Sequence, residues 1–80
     1  MQDFVTWLIK QIVEKPEEVV VEEKEENNQI LLSLHVASVD MGRVIGKEGK
    51  VIKAIRNLLK VKAIKENRLV NLQLIEAEQV

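Results

Sequence analysis

The sequence predicts a two-layer α+β domain of order αββααβ, with three helices packed on one face of a three-stranded sheet. Three observations lead there. Apolar residues recur at helical spacing in the first fifteen residues, alternate through the thirties, return to helical spacing after Gly49 and alternate again near the end. At 80 residues the chain has room for one hydrophobic core. Hydrophobic residues at 46% and charged residues at 31% give ordinary globular composition, well away from the apolar-poor signature of disordered chains. A single domain over residues 1–80, free of internal repeats and low-complexity segments, is the expectation.

Helix 2–15 rests on Phe4, Val5, Leu8, Ile9, Ile12 and Val13, with Asp3 placed to cap it and Lys10, Gln11 and Glu14 on the polar side. Pro16 stops it, because proline disfavours helical backbone at the residue before it, Lys15. Trp7 lies off the centre of the apolar stripe, as a half-buried edge residue or an interface anchor. Strand 18–24 follows from the β-branched run Val19-Val20-Val21, with Val19 and Val21 on one face. Its neighbouring glutamates read as a solvated edge that discourages strand addition. Asn27-Asn28 supplies the turn into strand 29–37, where Ile30, Leu32, Leu34 and Val36 face the core and His35 the other side. Ser38 is placed to cap a short helix, 39–45, that ends at Gly46. In helix 50–63, Val51, Ile52, Ile55, Leu58 and Leu59 fall on the core side, opposite Lys50, Lys53, Arg56 and Lys60. Strand 68–76 closes the order, with Val70, Leu72 and Leu74 alternating with Asn71 and Gln73.

The net charge of −1 conceals a dipole. Residues 1–40 carry three basic against nine acidic side chains, a net of −6, and residues 41–80 carry nine basic against four acidic, a net of +5. Between Gly42 and Arg68 there are nine Lys or Arg and only Glu48 and Glu66. Such asymmetry points to a basic face that meets an anion. With no cysteine, disulfides and thiolate metal sites are excluded, and His35 stands alone among scattered carboxylates, so neither metal nor cofactor is expected. The longest stretch free of full charges, Asn27 to Val39, is 13 residues, short of a membrane span, and the N-terminus lacks a signal-peptide pattern. A cytoplasmic protein is the expectation. Catalysis is not, since Thr6, Ser33 and Ser38 are the only aliphatic hydroxyls and none sits beside a base in a recognisable pattern.

All three glycines fall within eight residues, at Gly42, Gly46 and Gly49, so a function that needs close backbone approach belongs there. A P-loop needs four residues between its first Gly and its Gly-Lys-Ser/Thr, but only three separate Gly42 from Gly46-Lys47, and Glu48 brings no hydroxyl for magnesium. A dinucleotide fingerprint needs a strand before the turn and a second glycine where Val44 stands. What remains is Gly46-Lys47-Glu48-Gly49, a G-x-x-G turn joining two helices. A nucleic-acid backbone can pass close to it, and the N–H groups opening the next helix carry positive partial charge suited to phosphate. Arg43, Lys47, Lys50, Lys53 and Arg56 surround that point.

The segment from Val39 to Arg56 resembles the core of a type II KH domain, and the αββααβ order, the length near 80 and Pro16-Glu17-Glu18-Val19 are similar to the stand-alone bacterial KH proteins of the KhpA/YlqC type. The resemblance implies that Gly46, Lys47, Glu48 and Gly49 contact the backbone of about four nucleotides of single-stranded RNA. It places Ile45 and Ile52 in an apolar groove for bases, with Arg43, Lys50, Lys53 and Arg56 as the surrounding cations. Glu48 departs in charge, setting a carboxylate in the clamp. The resemblance also implies an RNA chaperone or post-transcriptional regulator that pairs with itself or with a second KH-containing protein. Stacking platforms of the RRM or OB kind are absent, since the only aromatics are Phe4 and Trp7 in the first helix. A domain this small buries only about 60–65% of its unfolded surface, so a dimer is expected on physical grounds too, with Trp7, Leu31 and Ile75 facing outward. The competing reading is a protein-interaction adaptor on the same fold.

Overall fold

The structure, a computed structural model, describes residues 1–75. Helix α1 covers Gln2–Lys10, strand β1 Val20–Glu26, strand β2 Gln29–His35, helix α2 Met41–Ile45, helix α3 Lys50–Lys65 and strand β3 Leu69–Ile75. Single 3-10 turns occupy Pro16–Glu18, Ser38–Asp40 and Lys47–Gly49. The sheet runs β1-β2-β3, with the central β2 antiparallel to β1 and parallel to β3. A tight turn makes the first pairing, and Asn27 and Asn28 adopt the positive φ, 50° and 65°, that such a hairpin turn requires. Parallel pairing needs a crossover, which α2 and α3 supply.

The register lines up Val21 with Leu34, Leu32 with Leu72 and Ile30 with Val70, so one face of the sheet is apolar. On it pack Val5 and Ile9 of α1, Val44 of α2, and Ile52, Ile55 and Leu59 of α3, all buried in one core. The three helices thus cover one face. Among the described residues no helix covers the other face, where Glu22, Ser33 and Gln73 form one row and His35 Nε2 lies 3.7 Å from Glu22 Oε1.

Several element ends differ from the sequence expectation, each for a local reason. α1 stops at Lys10 instead of reaching 15, because the N–H groups of Glu14 and Lys15 donate to the carboxylate of Asp40, at 2.8 and 3.0 Å. Asp3 does not cap α1; the N–H of Gln2 donates instead to Glu23 Oε1 across on β1, at 3.2 Å. Ser38 makes no cap, and its turn precedes α2, which starts at Met41. β1 starts at Val20 because Pro16 favours a 3-10 turn just before it. β2 ends at His35, although Val36 and Ala37 remain buried. α3 runs on to Lys65 and closes with Asn67 at φ 56° and the N–H of Arg68 on the Ala63 carbonyl. Leu58, expected inward, is 52% exposed, since the buried stripe centres on Ile55 and Leu59. The expected last strand residue, Glu76, lies outside the described residues. Among the described residues no helix is long and apolar enough to cross a membrane.

Candidate nucleic-acid interface

α2 is anchored by Val44, which is fully buried, and its last residue, Ile45, stays partly exposed at the edge of the turn. The chain then reverses at Gly46, with φ 76° and ψ 173°. Only glycine fits there: besides the positive φ, a Cβ would overlap the Val51 side chain and lie 2.9 Å from its backbone nitrogen. Gly49 also has positive φ, 74°, but open space around it. Between them Glu48 takes left-handed backbone at φ 59°, ψ 23°, a conformation that costs an ordinary residue about 1 kcal/mol. Gly46 donates to the Gly42 carbonyl and Gly49 to the Gly46 carbonyl, so the turn is tied to α2 by its own backbone. Lys47 and Glu48 are both exposed.

The turn delivers the chain into α3, whose N-terminal N–H groups carry positive partial charge. Lys50 and Lys53 are exposed on its first turns, and among the described residues Lys47, Lys50, Lys53 and Lys60 take part in no ion pair. Four basic side chains therefore surround or follow the turn without an ion-pair partner among the described residues. Arg56 lies two turns along, where its Nε donates to the Leu72 carbonyl of β3 at 3.3 Å. Between α3 and β3 a cleft of about 190 Å³ opens, lined by Arg56, Leu59, Lys60, Val70, Asn71 and Leu72.

Of the ten residues singled out in the sequence, Ile45, Gly46, Lys47, Glu48, Gly49, Lys50 and Lys53 gather around the turn, and Arg56 marks the cleft. Two are placed otherwise. Ile52 is only 7% exposed and belongs to the core beneath the turn. Arg43 is drawn back toward the end of α1, 3.2 Å from Glu14 Oε1 and 3.9 Å from Asp40 Oδ1. Sequence reasoning missed Asp40, a buried carboxylate that joins α2 to the exit of α1, and Lys60, which the strand order brings into the cleft. For Asp40 a signal existed: an acidic residue within an otherwise apolar stretch next to Met41 demands partners.

Residues 2–74 match the family model described as KhpA/KhpB, KH domain. The chain belongs to the KhpA/KhpB KH-domain family. The RNA-binding protein KhpA of Chlamydia trachomatis is 45% identical over 76 residues, covering 95% of this chain and 97% of that protein. The RNA-binding protein KhpA of Clostridium perfringens is also 45% identical, over 94% of this chain and all of that protein. These relatives are named for binding and not for a reaction. Among solved structures, a variant of Aquifex aeolicus Era bound to GDP and AlF4− superposes with a TM-score of 0.62 at 18% identity, covering 94% of this chain and 29% of that one. At that identity the likeness concerns the fold alone, and it agrees with a KH arrangement of three helices on a three-stranded sheet.

Proposed function

We propose that this chain is a non-catalytic, cytoplasmic bacterial protein that binds single-stranded RNA, holding about four nucleotides at the turn from Gly46 to Gly49 and serving as an RNA chaperone or post-transcriptional regulator. The observation that carries the reading is the glycine turn opening α3 with Lys47, Lys50 and Lys53 exposed around it and, among the described residues, in no ion pair. Phosphate oxygens pass along the bare backbone of the turn, the lysines neutralise them, and the bases turn toward Ile45 and the α3 to β3 cleft. Clostridial and chlamydial relatives that carry the name RNA-binding protein support it. The whole chain acts as one module.

Replacing Lys47 and Glu48 together with aspartate tests the clamp. Aspartate tolerates left-handed backbone better than glutamate, so the fold should survive with two carboxylates set in the RNA path. Affinity for a short oligouridylate, read by fluorescence anisotropy at fixed salt, should fall more than tenfold. An equal change in net charge far from the turn, Lys10→Gln with Lys24→Gln, should cost a few-fold at most. Equal losses would mean diffuse attraction to a basic surface, and the clamp would be wrong.

A second reading rests on a different observation: Trp7, Leu58 and Val61 are each more than half exposed. We infer that one or more of these exposed apolar side chains pair the chain with a second copy or with another KH-containing protein. A monomeric mass at several hundred micromolar in sedimentation equilibrium, with no KH partner retained, would remove this reading.

A further inference from the structure

We propose that Asp40 is a positioning residue for RNA binding: its buried carboxylate fastens the exit of α1 to the start of α2 and so fixes where the glycine turn meets phosphate, with Arg43 and Glu14 fastening the same joint at the surface. This rests on the RNA-binding reading above and assigns residues that act on that site without touching the strand. Asp40 is the one buried charged side chain among the described residues, with no exposure at all. One of its carboxylate oxygens accepts from the N–H of Glu14, at 2.8 Å, and the other from the N–H of Lys15, at 3.0 Å. Both donors lie past the end of α1 at Lys10 and need an acceptor from elsewhere in the fold. A carboxylate offers two acceptor oxygens, where an amide of the same shape offers one.

α2 is too short to hold its own direction. Met41 to Ile45 make less than two helical turns, and an isolated helix of that length does not persist in water. Its direction comes from its attachments: Asp40 immediately before it, Val44 buried in the core, and at its far end Gly46, whose N–H donates to the Gly42 carbonyl. From Asp40 to Gly46 the chain advances about 9 Å at 1.5 Å per residue, so a tilt of about 10° over that length displaces one end against the other by about 1.5 Å. A binding geometry tolerates about 0.5 Å. One buried contact at Val44 resists translation of α2 but not tilt, so the tilt, and with it the place of the turn, is set at Asp40.

Arg43 belongs to the same joint. Its guanidinium donates to Glu14 Oε1 at 3.2 Å and lies 3.9 Å from Asp40 Oδ1, so it holds both the carboxylate and the residue whose N–H that carboxylate accepts. Both partners of the outer pair are more than half exposed, so the pair adds modest strength. A phosphate contact and a joint contact differ in sign when Glu14 is neutralised. An Arg43 that serves RNA by its charge would be freed from Glu14, and the strand would bind more tightly. An Arg43 that serves the joint loses its anchor, and the strand binds more weakly.

The test measures octauridylate affinity of the full chain by fluorescence anisotropy at fixed salt, each value corrected for the unfolded fraction found in urea. Asp40→Asn keeps the shape of the side chain and leaves one N–H without its acceptor, so corrected affinity should fall about tenfold. The amides of Gly46 and Gly49, which donate inside the turn, should exchange with solvent about tenfold faster in the same variant. A merely structural role would leave the corrected affinity and those amides at their parent values, and that result would overturn the proposal. Should Asp40→Asn fail to fold, Glu14→Gln and Arg43→Gln, both at exposed positions, decide the matter. Each should weaken binding about two- to threefold, and the two together no more than either alone, because they break one contact. Tighter binding by Glu14→Gln would show that Arg43 acts by its charge on the strand, and the joint would be wrong while the RNA-binding reading stood. A parent that binds no octauridylate would overturn that reading itself.

Discussion

The two flanks of α3 share one helix and differ in nearly everything else. Toward β3 the flank carries Arg56 and Lys60, with Lys53 one turn before, above the cleft that ends in the carbonyl of Leu72. Toward α1 it carries Leu58, with Lys62 one turn later placing its Nζ 5.4 Å from the centre of the Phe4 ring. Val61 of α3 and Trp7 of α1 are exposed apolar side chains as well. Between the flanks Ile55, Leu59 and Ala63 are buried against the sheet. At 100° per residue, one turn of helix is enough to separate a surface suited to phosphate from a surface suited to an apolar partner. The RNA binding and the self-association proposed above should therefore be removable independently, provided the buried stripe between them stays intact.

The largest effect should come from that stripe. Leu59→Ala removes a fully buried side chain from the core and should cost about 2–5 kcal/mol in urea unfolding, a large share of the stability of a domain this small. Both surfaces should weaken together in proportion to the unfolded fraction. Survival of full stability would mean that the two flanks do not depend on a shared spine.

On the basic flank, Lys53→Glu with Lys60→Glu reverses two exposed charges and should lower RNA affinity more than tenfold at about 0.1 M salt, with the loss shrinking as salt rises. Sedimentation mass should not change. On the apolar flank, Leu58→Gln with Val61→Gln keeps good helix formers and should abolish association, while affinity for a tetranucleotide stays within about twofold. Trp7 fluorescence, from a side chain 60% exposed on the outer side of α1, should report concentration-dependent burial in the parent and none in this variant. A variant that loses both activities would show that RNA binding requires the dimer, which breaks the separation of flanks.

The smallest effect concerns the turn that leads into both. Glu48→Gly relieves left-handed strain and removes a carboxylate from the phosphate path, so stability should rise by no more than about 1 kcal/mol, offset in part by the greater freedom of glycine when unfolded. RNA affinity should rise a few-fold. A fall in affinity would assign Glu48 a direct contact with the RNA.

What the sequence by itself determined lies within short reach along the chain. The order of elements follows from local periodicity, the hairpin from Asn27-Asn28, and the special turn from Gly46 and Gly49, because backbone sterics and side-chain spacing act over a few residues. The lysines around the turn were legible for the same reason. Tertiary structure decided everything that joins distant residues. Asp40 ends α1 early by accepting from backbone groups 26 and 25 positions away, a competition that no helical pattern in residues 2–15 reveals. It and Glu14 also draw Arg43 back from the turn. Leu58 went to the surface because the depth of a helical residue depends on which way the sheet lies beneath it. The cleft that Lys60 lines exists because β3 pairs in parallel with β2, on the side away from β1, and strand order is set by the whole core at once.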